Sequence, residues 1–311
     1  MAAVFLLSLA AEASASNIVF VCGKNLCAAK AERGAKRVKL TRDGARRGGY
    51  TRPSLSRSGR RLGFKLGDPG RVWTAEVKRR RGRITGLGRR IRIPAFRDGP
   101  RDATQFDVAI SPDGRRVAWV ELRANVVFGG FDFRRYAARV DGGDARQVAA
   151  NGGRPFVAWF GPARIVREGF GPGYLGQTVD QGLCVPSPQS AANGTCVEGS
   201  RQLAFDPAGR HLRHPSVSAN RRLVVATAYA HDPDDIDTAI ERPGRIALYS
   251  AVTAKPVRDL TRSTKDLYPS FAPSGKLVAF ERAGSVWTVR TSGAGKARRL
   301  LRKARQPAWS R

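Results

Sequence analysis

Short apolar runs, four or five residues long and separated by tight turns, recur along this 311-residue chain. In "AISPDGRRVAWVE" (109 to 121) the run Val117-Ala118-Trp119-Val120 has no polar residue alternating through it, which predicts a strand buried on both faces. The residues before it suit a turn. Pro112 presets φ, Asp113 bonds its own backbone, and Gly114 tolerates a positive φ. The same arrangement returns as "RPSLSRSGRRLGFKL" (52 to 66), "HPSVSANRRLVVATAY" (214 to 229) and "YPSFAPSGKLVAFERAG" (268 to 284), with a degenerate copy, "RPFVAWFGPARIVREG" (154 to 169). Each copy is followed by two further strand-like runs, and the period is roughly 40 to 60 residues, the range of four-stranded propeller blades.

The ends complete the count. "NIVFVCGKNLCAAKAERGAKRVKLT" has three later strands of a unit and no opening one, while the final "RQPAWSR" is an opening strand alone. Joined, they make one blade and leave no sheet edge open. Five units and this shared one predict an all-β, six-bladed propeller over residues 16 to 311.

The residues that carry the repeat, "SPDGRRVAW", "APSGKLVAF", "SRSGRRLGF" and "VWTV", resemble PD40, the WD40-like repeat of the TolB-like family of exported bacterial propellers. The resemblance spans residues 17 to 311 and implies a six-bladed ring. It implies no activity, because the repeat residues build blades whatever the blades bind. There are departures: the fourth unit lacks the Pro-Asp-Gly turn, the fifth has Ser218-Ala219-Asn220 in its place, and the α/β domain that precedes the propeller in TolB has no counterpart here, so a role in the Tol system does not carry over.

Composition adds a compartment. Residues 1 to 15 hold an apolar stretch, Ala2 to Ala11, followed by Ala13-Ser14-Ala15, the pattern of a cleaved export signal, so the expected location is the periplasm, cell envelope or exterior. No later apolar run nears the ~18 residues needed to span a bilayer, so a soluble mature protein, a monomer, is expected. Four cysteines suit an oxidising compartment, and two local disulfides are predicted, Cys22 to Cys27 and Cys184 to Cys196. The formal net charge is +31. That field attracts polyanions, yet arginine is scattered over the whole chain, and a GC-rich coding bias explains such scatter without a nucleic-acid partner.

The longer connections fall within blades between the second and third strands, or between blades, and both kinds lie on one rim. They are 89 to 105, 123 to 135, 169 to 174 and 230 to 244. On this rim and the channel beneath it Phe128, Phe131, Phe133, Phe170, Tyr174 and Tyr229 offer aromatic surface, and Arg123, Arg134 and Arg135 offer anion contacts beside His231. Asp232, Asp234, Asp235 and Asp237 could donate oxygens to Ca²⁺, although the EF-hand glycine and glutamate are absent; the other reading pairs them with nearby arginines. No other cofactor is indicated. His211 and His214 form an H-x2-H pair that could hold a metal, but His214, standing before a proline, reads as a ring-facing structural residue. No G-x-S-x-G elbow or zinc-protease helix is present. The sequence therefore reads as a non-enzymatic binding protein for a protein, peptide or anionic envelope polymer. Two alternatives stay open: a lyase or hydrolase using the acidic loop 231 to 237, and a basic polyanion binder.

Overall fold

The computed structural model describes residues 16–67, 70–96, 104–124, 131–149, 156–169, 182–185, 201–230 and 243–310. All regular structure among them is strand, arranged as six four-stranded antiparallel sheets. The first sheet sets β1 (Asn17–Cys22), β2 (Asn25–Lys30) and β3 (Val38–Lys39) outside the last strand of the chain, β24 (Arg305–Ser310). The second holds β4 (Tyr50–Leu55), β5 (Arg61–Leu66), β6 (Arg71–Arg80) and β7 (Arg83–Arg92), and the third β8 (Gln105–Ile110), β9 (Arg116–Ala124), β10 (Phe131–Arg139) and β11 (Arg146–Ala149). The fourth has β12 (Ala158–Trp159), β13 (Ile165–Gly169), β14 (Gly182–Val185) and β15 (Arg201–Phe205). The fifth has β16 (His211–Val217), β17 (Leu223–Tyr229), β18 (Arg245–Ser250) and β19 (Pro256–Asp259), and the sixth β20 (Asp266–Phe271), β21 (Leu277–Arg282), β22 (Ser285–Arg290) and β23 (Arg298–Leu301).

The innermost strands β4, β8, β12, β16, β20 and β24 touch one another in a closed cycle, so the sheets stand as the blades of a propeller. The ring closes as the termini predict. β1 pairs with β24 in the register Asn17 to Ser310, Ile18 to Trp309 and Val19 to Ala308.

Why the apolar runs do not alternate is visible in β1. Ile18 and Phe20 face the sixth blade and pack with Ala279 and Val286, whereas Val19 and Val21 face the second and pack with Leu62 and Phe64. Both faces are interior. Trp119, Phe20, Phe64 and Phe280 are fully buried in this way, each contributing up to ~3 kcal/mol of apolar transfer free energy.

The turns behave as their residues dictate. Ser111 Oγ donates to Asp113 Oδ1 at 2.6 Å and accepts the Arg116 N–H at 2.9 Å, Gly114 N–H donates to the Ser111 carbonyl at 2.8 Å, and Gly114 sits at φ 76°. Ser218 and Asn220 repeat the scheme in the fifth blade, with Asn220 standing in for aspartate.

Two boundaries differ from expectation. Residues 123 to 124 and 131 to 135 are strand: β9 runs to Ala124 and β10 begins at Phe131, because "FDFRRYA" continues an antiparallel ladder from Phe131 opposite Ala124 to Arg139 opposite Arg116. Likewise Arg89, Arg90 and Arg92 belong to β7, which pairs along a long β6. Cys22 and Cys27 are joined. Cys184 is also disulfide-bonded, and its predicted partner Cys196 lies outside the described residues. No helix among the described residues is long and apolar enough to cross a membrane.

Candidate functional site

Four innermost strands carry the same device, a residue followed by proline: Arg52-Pro53, His214-Pro215, Tyr268-Pro269 and Gln306-Pro307. A residue before proline ordinarily takes an extended conformation. Here all four are left-handed, with φ of 54°, 51°, 53° and 49°. The strand register shifts at each of them, so each is a bulge that turns its side chain into the channel. Proline suits the place because the channel-facing edge has no ladder partner for a missing N–H. The serine that follows ties blade to blade: Ser54 Oγ accepts the Ile110 N–H at 2.9 Å, Ser216 Oγ the Phe271 N–H at 3.2 Å, and Ser270 Oγ the Trp309 N–H at 3.1 Å.

The channel so formed has a volume of about 530 Å³. Apolar walls from Leu55, Ile110, Trp159, Phe271 and Trp309 run from the turns that join first to second strands down to a floor. Arg52, Asp107, Val157, His214, Tyr268 and Gln306 make this floor, one residue per blade. The Arg52 guanidinium lies 4.5 Å over the Tyr268 ring, and the His214 ring centroid is 4.3 Å from that of Tyr268. Asp107 Oδ2 accepts the Val157 N–H at 2.9 Å.

Electrostatics separate these groups. Burial, helped by the charges of Arg52 and Arg213, holds the His214 imidazole well below its ordinary pKa, so it is neutral at physiological pH. Burial pushes the Asp107 carboxyl up, and the Arg52 charge opposes that rise. His214 Nδ1 has no hydrogen-bond partner among the described residues. A neutral imidazole beside a guanidinium and a phenol is equipped to accept or donate hydrogen bonds to a ligand.

Beneath the floor, where connections enter the innermost strands, more charge is buried. Arg213 is 2% exposed and its guanidinium stands 4.6 Å over the Tyr229 ring, which stacks on His211 at 5.3 Å. Glu121 Oε1 accepts from Trp119 Nε1 at 2.7 Å, from Gln105 Nε2 at 3.3 Å and from the Phe96 N–H at 3.1 Å. Asp266 holds Arg282 through two bonds of 2.6 and 2.8 Å.

The predicted site residues divide four ways. Tyr229 is buried in this charged layer. Arg135, expected as an exposed anion contact, is fully buried instead, because β10 continues past the expected loop and turns it inward. Phe133 is half-buried, edge-on to Phe106 at 5.5 Å, and Arg134 is half-buried beside it. Arg123 and Phe131 lie at the paired ends of β9 and β10. Phe128, Phe170, Tyr174, His231, Asp232, Asp234, Asp235 and Asp237 lie outside the described residues. His214, read from the sequence as a ring-facing structural residue, lines the channel. Sequence reasoning missed Arg52, Asp107, Arg213 and Tyr268. The signal that could have found three of the floor residues was the varying residue in "RPS", "HPS" and "YPS".

No family model matches the chain, and no characterised protein matches its sequence. Solved structures do resemble it. TolB from Acinetobacter baumannii is 14% identical with a TM-score of 0.64, covering 96% of this chain and 68% of that one. A chain of the nidogen/laminin complex is 12% identical with a TM-score of 0.63, covering 94% and 98%. A putative TolB from Agrobacterium tumefaciens is 17% identical with a TM-score of 0.56, covering 94% and 90%. At these identities the likeness is one of fold: this chain is an all-β propeller whose arrangement of sheets resembles that of the TolB structures.

Proposed function

We propose that the chain is a non-enzymatic, exported binding protein that takes a protein or peptide partner in the channel, at the floor that carries Arg52, His214 and Tyr268. One observation carries the reading. Four repeat positions hold strained left-handed residues, and three of them, Arg52, His214 and Tyr268, are chemically unlike and converge on one spot. Strain of about 1–3 kcal/mol per residue persists where a site uses it, and a purely structural repeat has no need of three different side chains there. Disulfides and the apolar first segment support export.

Asparagine accepts the left-handed conformation, so R52N/H214N/Y268N removes the three side chains and relaxes the backbone. In pull-downs from cell-envelope extract, the parent is expected to retain a species that this variant loses at matched thermal stability. Retention of the same species by both places the partner elsewhere.

A further inference from the structure

We propose that the rim at the channel mouth, formed by the strand-joining turns, seats the protein on the surface of an anionic phospholipid bilayer. In an antiparallel meander the turns joining first to second and third to fourth strands share one end of every blade. They meet there. Arg57 N–H donates to the Pro112 carbonyl at 3.0 Å, Val140 N–H to the Arg115 carbonyl at 3.0 Å, and Arg79 Nη1 to the Ser58 carbonyl at 2.6 Å. Asn17 Nδ2 reaches the Gly82 carbonyl at 3.0 Å, and the Arg258 guanidinium reaches the Ser292 carbonyl.

Every such first turn among the described residues delivers an exposed cation: Arg60, Arg115, Arg164, Arg221 with Arg222, and Lys276. They encircle the channel mouth. Outside them the β6–β7 hairpin ends in Arg79-Arg80-Arg81-Gly82-Arg83, with Arg80 directly opposite Arg83. Like charges placed opposite each other weaken a strand pair, and an anionic surface relieves that repulsion. The carboxylates on this rim are engaged locally. Glu76 meets Arg61 at 3.0 Å, Asp141 and Asp144 meet Arg139 at 3.2 and 3.7 Å, and Asp113 is held within its own turn, while Glu32 is the exception, exposed on the β2–β3 turn. Val252, 65% exposed on the β18–β19 turn, adds an apolar contact at the same level.

The arrangement selects the partner. Cations set around a ring all meet a plane at once, whereas a linear polyanion crossing the ring meets few of them, and a basic surface with an apolar contact is what binds acidic lipid headgroups. The cations surround the mouth of the same channel, so seating on a bilayer covers the floor and excludes the partner proposed there.

Sedimentation with vesicles tests it, using phosphatidylglycerol mixed with phosphatidylcholine against phosphatidylcholine alone at ~0.1 M salt. The parent is expected to bind the anionic vesicles only. R115E/R164E/R221E/R222E should bind at least about 100-fold more weakly. R42E/R46E/R262E/K265E reverses the same number of exposed charges on the blade-to-blade connections at the other rim and should bind as the parent does. Should the first variant misfold by thermal melting, R80E/R81E/R83E at the hairpin end replaces it. Equal loss in both sets, or equal binding to neutral vesicles, overturns the proposal. So does face-dependent binding to polyphosphate without any binding to vesicles, which assigns the rim to a linear polyanion.

Discussion

Gln306 Oε1 accepts the backbone N–H of Arg52 at 2.7 Å, across 254 residues of chain, while the N–H of Gln306 itself donates to Glu281 Oε2 at 3.0 Å. The last strand is thereby tied to both neighbouring blades at the channel floor. Arg52 is 8% exposed, so Gln306→Ala leaves its N–H buried without that acceptor. A loss of about 1–3 kcal/mol is expected in urea unfolding. A change below ~0.5 kcal/mol would show that the bond contributes nothing to closure.

Asp266 is fully buried and Arg282 grips it with two nitrogens. Removing one partner strands the other, so Asp266→Ala should cost about 3–5 kcal/mol. The double variant D266L/R282M should recover much of that, and the non-additivity measures the coupling. Additive losses would contradict the pairing.

His214 links stability to pH. Its imidazole is held well below the ordinary value of 6.5 by burial among Phe156, Tyr268, Arg52 and Arg213, so the unfolded chain binds this proton more readily than the folded one. Stability present above pH 6.5 is therefore lost as pH falls below it. The melting temperature of the parent should drop between pH 7 and 5.5 more steeply than that of His214→Asn. Parallel curves would mean that the ring protonates freely in the fold. Asp107, whose carboxyl is pushed up by burial, works in the opposite sense from pH 3.8 upward and is common to both proteins.

The Cys22–Cys27 bridge spans the first hairpin, with a sequence separation of 5. So short a loop restricts the unfolded chain modestly, and C22S/C27S should lose about 2 kcal/mol. Calorimetry of the two proteins checks this. A loss near the ~5 kcal/mol typical of essential bridges would mean that the bridge organises the closing blade.

Phe133→Ala tests which role the β10 aromatics play. Edge contact with Phe106 predicts a loss of about 2 kcal/mol, below that of a fully buried phenylalanine. Unchanged stability with lost partner binding would instead make Phe133 a surface contact.

The ring was legible because its signals are local. Ser111-Pro112-Asp113-Gly114 announces its turn in four residues, and the orphan strand "QPAWS" has one place to go once "NIVFV" lacks an opening partner. The floor was harder to read. Arg52, Asp107 and His214 lie in three different repeats, and nothing local says that rotation about one axis brings them together. Arg135 failed for another reason. "FDFRRYA" carries polar residues on both sides of the strand, so periodicity could not show that one arginine would be buried.

Closure through an antiparallel β1–β24 pair also decides how the molecule answers a mechanical load. Residues 17 and 310 stand opposite each other at one end of that ladder, so tension between them unzips Asn17 from Ser310, then Ile18 from Trp309, one pair after another. The disc is consequently closed by a latch that yields to pulling at its joined ends.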